Sequence, residues 1–84
     1  MIQRPFRIME AEELEKICRL ADKYTNIDID AKTNSYIVDC KSPMGLMSIG
    51  INKVIVIIVH TDDEKMADEF FEGIKAIIKK DINT

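Results

Sequence analysis

The sequence predicts an α+β chain folded as a two-layer open-faced sandwich, with a four-stranded antiparallel sheet and the order β-α-β-β-α-β-α. Three observations predict it. Along the chain the spacing of apolar residues switches between two and about 3.6, with no internal repeat and no low-complexity linker. The second and third strands are separated only by the polar turn Lys32-Thr33-Asn34-Ser35, which makes them a hairpin. Three helical segments can cover one face of such a sheet and no more.

The elements follow in order. Phe6-Arg7-Ile8-Met9 alternates and reads as a short strand, with Pro5 tolerated at its start. From Glu10 the period becomes helical: Leu14, Ile17, Cys18 and Ala21 share a face, and Glu10, Glu12, Glu13 and Glu15 place negative charge at the favourable end. Thr25-Asn26 breaks that pattern after Tyr24. Ile27-Asp28-Ile29-Asp30 alternates strictly, and Tyr36 to Cys40 forms the return strand. Ser42 is a favourable N-cap and Pro43 a favourable first helical residue, so a short helix runs from here to Gly50. Val54 to His60 is the most apolar strand and belongs at the centre of the sheet. Thr61-Asp62-Asp63-Glu64 resembles a capping box, Thr with Glu three residues on. The last helix buries Met66, Phe70, Ile74, Ile77 and Ile78, with Lys79 and Lys80 suiting its carboxyl end.

Composition narrows the function. The 84 residues suffice for a single domain, 1–84, and for burial of roughly 60–65% of the surface of the unfolded chain. A net charge of −3 argues against nucleic acid, which rewards a basic face. The longest apolar run, Val54 to Val59, is far short of the roughly 20 residues that span a bilayer. Met1-Ile2-Gln3-Arg4-Pro5 lacks the apolar core of a signal peptide, so a cytoplasmic protein is expected. Cys18 and Cys40 make neither a disulfide framework nor, with His60, a zinc set; reduced, packed thiols are expected, with no metal and no cofactor.

At Lys41-Ser42-Pro43-Met44-Gly45-Leu46-Met47-Ser48-Ile49-Gly50 the chain resembles HPr, the histidine-containing phosphocarrier family of the bacterial sugar phosphotransferase system. That family carries Lys-Ser, an apolar residue, Met-Gly, an apolar residue, Met-Ser, an apolar residue and Gly; only the Pro is unusual. The resemblance runs back through Ala21-Asp22-Lys23-Tyr24 and the hairpin, and forward into Thr61-Asp62-Asp63-Glu64. It implies the same β-α-β-β-α-β-α order. It also implies a Gly-apolar-His-x-Arg-Pro segment between first strand and first helix, whose His takes phosphate from enzyme I. Here Ile8-Met9 runs directly into Glu10-Ala11-Glu12-Glu13-Leu14, without His, Arg or Pro. A phosphoryl acceptor needs an imidazole at a helix amino terminus and positive charge for the incoming oxygens, whereas glutamates there repel phosphate. No catalytic residue is therefore assigned.

The remaining candidates each read two ways. The resemblance makes Ser42 a regulatory phosphorylation site for a dedicated serine kinase; by its chemistry alone it is an N-cap worth about 1 kcal/mol. Met44 and Met47, with Pro43 and Ser48, match the family's partner-docking surface, although methionines at this spacing are also common in cores. Partners implied are a serine kinase, a transcriptional regulator or a phosphotransferase component. On the uncovered side of the sheet, Ile37, Val54, Val56 and Ile58 form an apolar stripe. Either Arg7, Met9 and Lys53 shelter it, or it is a homodimer or partner surface. Three functional readings result: a regulatory or protein-binding member of the family that is not a histidine phosphocarrier; a carrier with a displaced acceptor, His60 or Cys18; and a structural or oligomeric module using the open face.

Overall fold

The computed structural model describes residues 1–34 and 36–78. Its elements are β1 (Ile2–Ile8), α1 (Ala11–Asp22), β2 (Ile29–Lys32), β3 (Ile37–Asp39), α2 (Pro43–Ser48), β4 (Lys53–Val59) and α3 (Glu64–Ile77), the predicted order. The strands form one antiparallel sheet ordered β1-β4-β2-β3. The apolar β4 is thus an inner strand, as its composition requires. Ser35, Lys79 and Lys80, assigned above to the hairpin turn and the end of the last helix, lie outside the described residues. No helix among the described residues is long and apolar enough to cross a membrane.

Register decides which side chains meet the helices. Ile2, Arg4, Phe6 and Ile8 of β1 pair with Val59, Ile57, Ile55 and Lys53 of β4, while Ile29 and Ala31 of β2 pair with Val59 and Ile57. Phe6, Ile8, Ile29, Ala31, Ile55, Ile57 and Val59 join Leu14, Ile17, Leu46, Phe70, Phe71 and Ile74 in one buried core. Gly73 brings α3 close to α1: a Cβ there would fall 2.7 Å from Leu20 Cδ2. The aromatic packing is offset and edge-on, with Tyr24 to Phe70 at 5.3 Å and Phe6 to Phe71 at 5.8 Å.

Several boundaries differ from the sequence reading, each for a physical reason. β1 begins at Ile2, so Pro5 lies inside it rather than at its start. Because β1 is an edge strand, the N–H that Pro5 lacks is not needed by an outer neighbour. Arg4 points to the helix side, yet stays wet: its guanidinium stacks 5.4 Å over Phe71 and pairs with Asp68 at 3.2 Å. β2 starts two residues later than the Ile-Asp alternation suggested, since Ile29 and not Ile27 faces Val59. The cap of α3 is Asp63, whose carboxylate accepts the Met66 N–H at 3.1 Å; Thr61 instead accepts the Asp63 N–H. Along α3, Ala67 and Phe71 are buried with Phe70 and Ile74, whereas Met66, Ile77 and Ile78 are only partly so.

Both cysteines are free and buried. Burial pushes the Cys40 thiol up from its ordinary 9.0 to about 12, helped by Cys18 and Asp39; burial also raises Cys18, helped by Asp22 and Asp39. Between pH 9 and 12 the folded state therefore holds a proton at Cys40 that the unfolded state has lost. This contribution to stability is fully present below about pH 9 and is lost as pH rises towards 12. Urea midpoints are expected to fall above pH 9, and Cys40→Ala to flatten that limb. At pH 8 the folded protein should resist iodoacetamide at Cys40, and alkylation there at the unfolded rate would contradict the assigned burial.

Candidate functional site at the helix layer

The strand-to-helix junction is built around Glu13. β1 ends at Ile8 and α1 begins at Ala11, so only Met9 and Glu10 make the turn. Glu13 Oε1 accepts the Met9 N–H at 2.7 Å and the Glu10 N–H at 2.9 Å, while the Glu10 side chain accepts from the Glu13 backbone. This reciprocal capping box satisfies the Met9, Glu10 and Glu13 amides with the chain's own carboxylates. Glu13 is 2% exposed, the one charged side chain buried among the described residues. The sequence reading counted it among the glutamates loading the helix start but did not foresee its burial; the spacing Glu10 to Glu13 was the available signal.

α2 meets the expectations for it at its start. Ser42 is the N-cap, its Oγ accepting the Gly45 N–H at 3.2 Å, and Pro43 occupies the first turn. Gly45 is needed for close approach, because a Cβ there would sit 3.2 Å from Ser42 Oγ and 3.6 Å from Val38 Cβ. The helix ends at Ser48, before the anticipated Gly50, which takes φ 90° beyond the Ile49 cap. Leu46 and Ile49 are buried, while Met44 is 85% and Met47 45% exposed. Pro43 and Ser48 are exposed as well. Ser48 Oγ donates to the Gly45 carbonyl at 2.6 Å, and the Tyr36 hydroxyl donates to the Ser48 carbonyl at 2.5 Å, tying α2 to the hairpin. Lys41 Nζ donates to the carbonyls of Tyr24 and Ile27, both at 2.5 Å, securing the end of α1 beside it.

Between α1 and α2 lies a groove of about 190 Å³ lined by Leu14, Cys18, Pro43 and Met47 and edged by the Glu15–Arg19 ion pair. Leu14 was expected only as core, and Cys18 as a packed thiol or a displaced acceptor. Their contribution to the groove depends on where α2 lands, which no local pattern in the sequence encodes. Ile51, 42% exposed just beyond α2, was likewise not anticipated.

The other sequence candidates lie elsewhere. The chain's single histidine, His60, follows β4 at the end opposite Lys53, and Lys53 is the partner of Ile8. Seven residues of strand put it about 20 Å from the start of α1. Its Nε2 lies 2.8 Å from Asp30 Oδ2. On the uncovered face, Ile37 is 56% exposed and Val54 and Val56 are half-buried, but Ile58 is only 5% exposed. Ile58 is therefore not an exposed member of the stripe. It belongs to the open face, outside the core cluster, where its partners Gln3 and Asp30 flank it from both neighbouring strands.

An open-faced β-α-β-β-α-β-α sandwich with this capped α2 defines an HPr-type fold. The fold matches HPr from Bacillus anthracis str. Ames at TM-score 0.70, with 24% identity over 93% of this chain and 96% of that one. It matches HPr from Thermoanaerobacter tengcongensis at 0.72, with 24% identity over 93% and 91%. The catabolite repression protein Crh of Bacillus subtilis, whose crystal structure is described as an intertwined dimer with a swapped domain, matches at 0.62 with 20% identity over 89% and 88%. No curated protein sequence matches the chain. Residues 9–80 match the PTS HPr component phosphorylation site family, and the chain belongs to that family.

Removing the junction carboxylate measures how much it holds. Glu13→Ala leaves two part-buried N–H donors without their acceptor and should cost about 1–3 kcal/mol in urea unfolding, whereas Glu13→Gln keeps an acceptor and should cost less. Equal losses in the two variants would show that charge, not the hydrogen-bond acceptor, matters at this turn.

Proposed function

We propose that this HPr-family chain is a regulatory, protein-binding member that docks partners through α2 and does not carry phosphate on histidine. The observation that carries this reading is that the amides of Met9, Glu10 and Glu13, where β1 turns into α1, are already bound by the Glu13 and Glu10 carboxylates. The family's transfer chemistry uses an imidazole at that helix start, with free donors and positive charge for the phosphoryl oxygens. Carboxylates in that place take up the donors and repel the phosphate. His60 is a poor substitute, being at the other end of β4 and held against Asp30.

The docking half of the proposal rests on α2. Met44 and Met47 project from a short, doubly tethered helix, beside a groove with an apolar floor and a charged rim. Flexible thioethers adapt to varied partner surfaces. Ser42 supports a switch at the same place. Its hydroxyl already faces the backbone N–H of Gly45, so phosphorylation would put about two negative charges beside the docking methionines. A serine kinase, a transcriptional regulator or a phosphotransferase component are the partner classes this surface suits.

Intact mass after two incubations tests both halves. With phosphoenolpyruvate and enzyme I no phosphate is expected; with ATP and the HPr serine kinase one is expected, absent in Ser42→Ala. Phosphate gained in the first incubation and lost in His60→Ala would replace this reading by a displaced carrier. Exchanging Met44 and Met47 for Asp should weaken partner binding by about tenfold or more while circular dichroism stays unchanged.

A further inference from the structure

The open face of the sheet is polarised along its strands. Towards the start of β4 stand Arg7, opposite Val54, and Lys32, opposite Val56. Lys32 and, with it, Lys53 border a depression of about 710 Å³ whose floor is Val54 and Val56 and whose lining includes no carboxylate among the described residues. None of these three cations enters an ion pair among the described residues. Towards the other end the charge reverses. Asp30 and Asp39 face each other directly across β2 and β3, a pairing that costs stability unless a cation compensates it. Among the described residues Asp30 has only His60, and Asp39 only the Lys41 N–H. In a chain of net charge −3 this basic end is a local feature rather than an average.

We infer that this face is completed by the same face of a second copy of the chain. The register supplies the fit. Two neighbouring rows cross the open face: Pro5-Val56-Lys32-Ile37 and Gln3-Ile58-Asp30-Asp39. A two-fold axis lying in the interface and running between these rows sets Val56 over Ile58 of the second copy and Lys32 over its Asp30, each contact made twice. The basic end of one copy then covers the acidic end of the other, and the exposed Ile37 and half-buried Val54 and Val56 leave water. An acidic partner would satisfy Lys32 but leave Asp30 facing like charge; a surface bearing both signs in this order satisfies both, with Ile37 falling over the second copy's Asp39 at the edge of the sheet. The helices form the other layer, so pairing leaves α2 of both copies free.

The face measures roughly 20 by 23 Å, small beside the surfaces of stable complexes. Association is therefore expected to be weak and sensitive to salt. Sedimentation velocity from tens of micromolar to about 1 mM protein should show the mass rising towards a dimer in about 20 mM salt and falling back in about 500 mM. Lys32→Glu with Lys53→Glu, and separately Asp30→Lys with Asp39→Lys, should each stay monomeric with unchanged circular dichroism, and mixing the two variants should restore the dimer. A control carrying the same charge change on the helix layer, Lys16→Glu with Lys65→Glu, should dimerise like the parent. A monomer throughout, a mixture that does not associate, or a control as impaired as the first variant would overturn the pairing. So would a dimer indifferent to salt and slow to exchange, the signature of a swapped strand, or one abolished by Met44→Asp with Met47→Asp.

Discussion

Glu13 sits where β1 turns into α1, and the helix layer depends on how that turn is closed. A charged side chain can be buried only if hydrogen bonds replace its water, and here two backbone N–H groups 2.7 and 2.9 Å away do so. The same bonds allow a turn of only two residues between an edge strand and a helix. With the start of α1 fixed, Leu14, Ile17 and Ala21 come down on the sheet, and Gly73 lets α3 close against Leu20. α2 then packs beside α1 and creates the groove at Met47. One capping box thus sets the position of α1 and places two carboxylates against the amides at its start.

The second short helix depends on different forces. Six residues cannot sustain a helix by propagation alone. The Ser42 cap, Pro43 at the first turn, the burial of Leu46 and Ile49, and the Tyr36 bond to the last turn hold it from four sides. Because its stability comes from caps and tethers, its outward face is free of packing duty, and two methionines can stand there at little structural cost. The same economy gathers the Ser42 cap, the first turn at Pro43 and the exposed Met44 within three residues.

Much of this was legible in the sequence, and the exceptions follow a pattern. The order of elements, the inner place of β4 and the Ser42-Pro43 start of α2 are written in local periodicity and capping chemistry, which act over a few residues. Three features were not. Pro5 lies inside β1 because that strand is at the sheet edge, and edge status is a property of the assembled sheet. The cap of α3 is Asp63 rather than Thr61, because Thr61 is taken up by the Asp63 N–H while the Asp63 carboxylate accepts from Met66. Leu14 and Cys18 line a groove only because α2 lands beside them. The first and last of these concern where distant segments meet. Ile58 is instructive in another way: alternation placed it correctly on the open face, but exposure depended on the lengths of Gln3 and Asp30 in neighbouring strands.

The two layers divide the work of the chain. The helix side must bury the core, so its polar groups are committed to capping, as Glu13, Ser42 and Asp63 are, and its exposed apolar residues gather where α2 is held by its ends. The open side carries no such duty. There Val54 and Val56 gain nothing for the monomer core that polar residues would forfeit, and Asp30 beside Asp39 is a cost in isolation. Apolar residues and opposed charges on an uncovered face lower the free energy only when something with matching order covers them. The sheet's own register, with Lys32 and Asp30 two residues apart on one strand and Val56 and Ile58 beside them on the next, supplies that order in a second copy of itself.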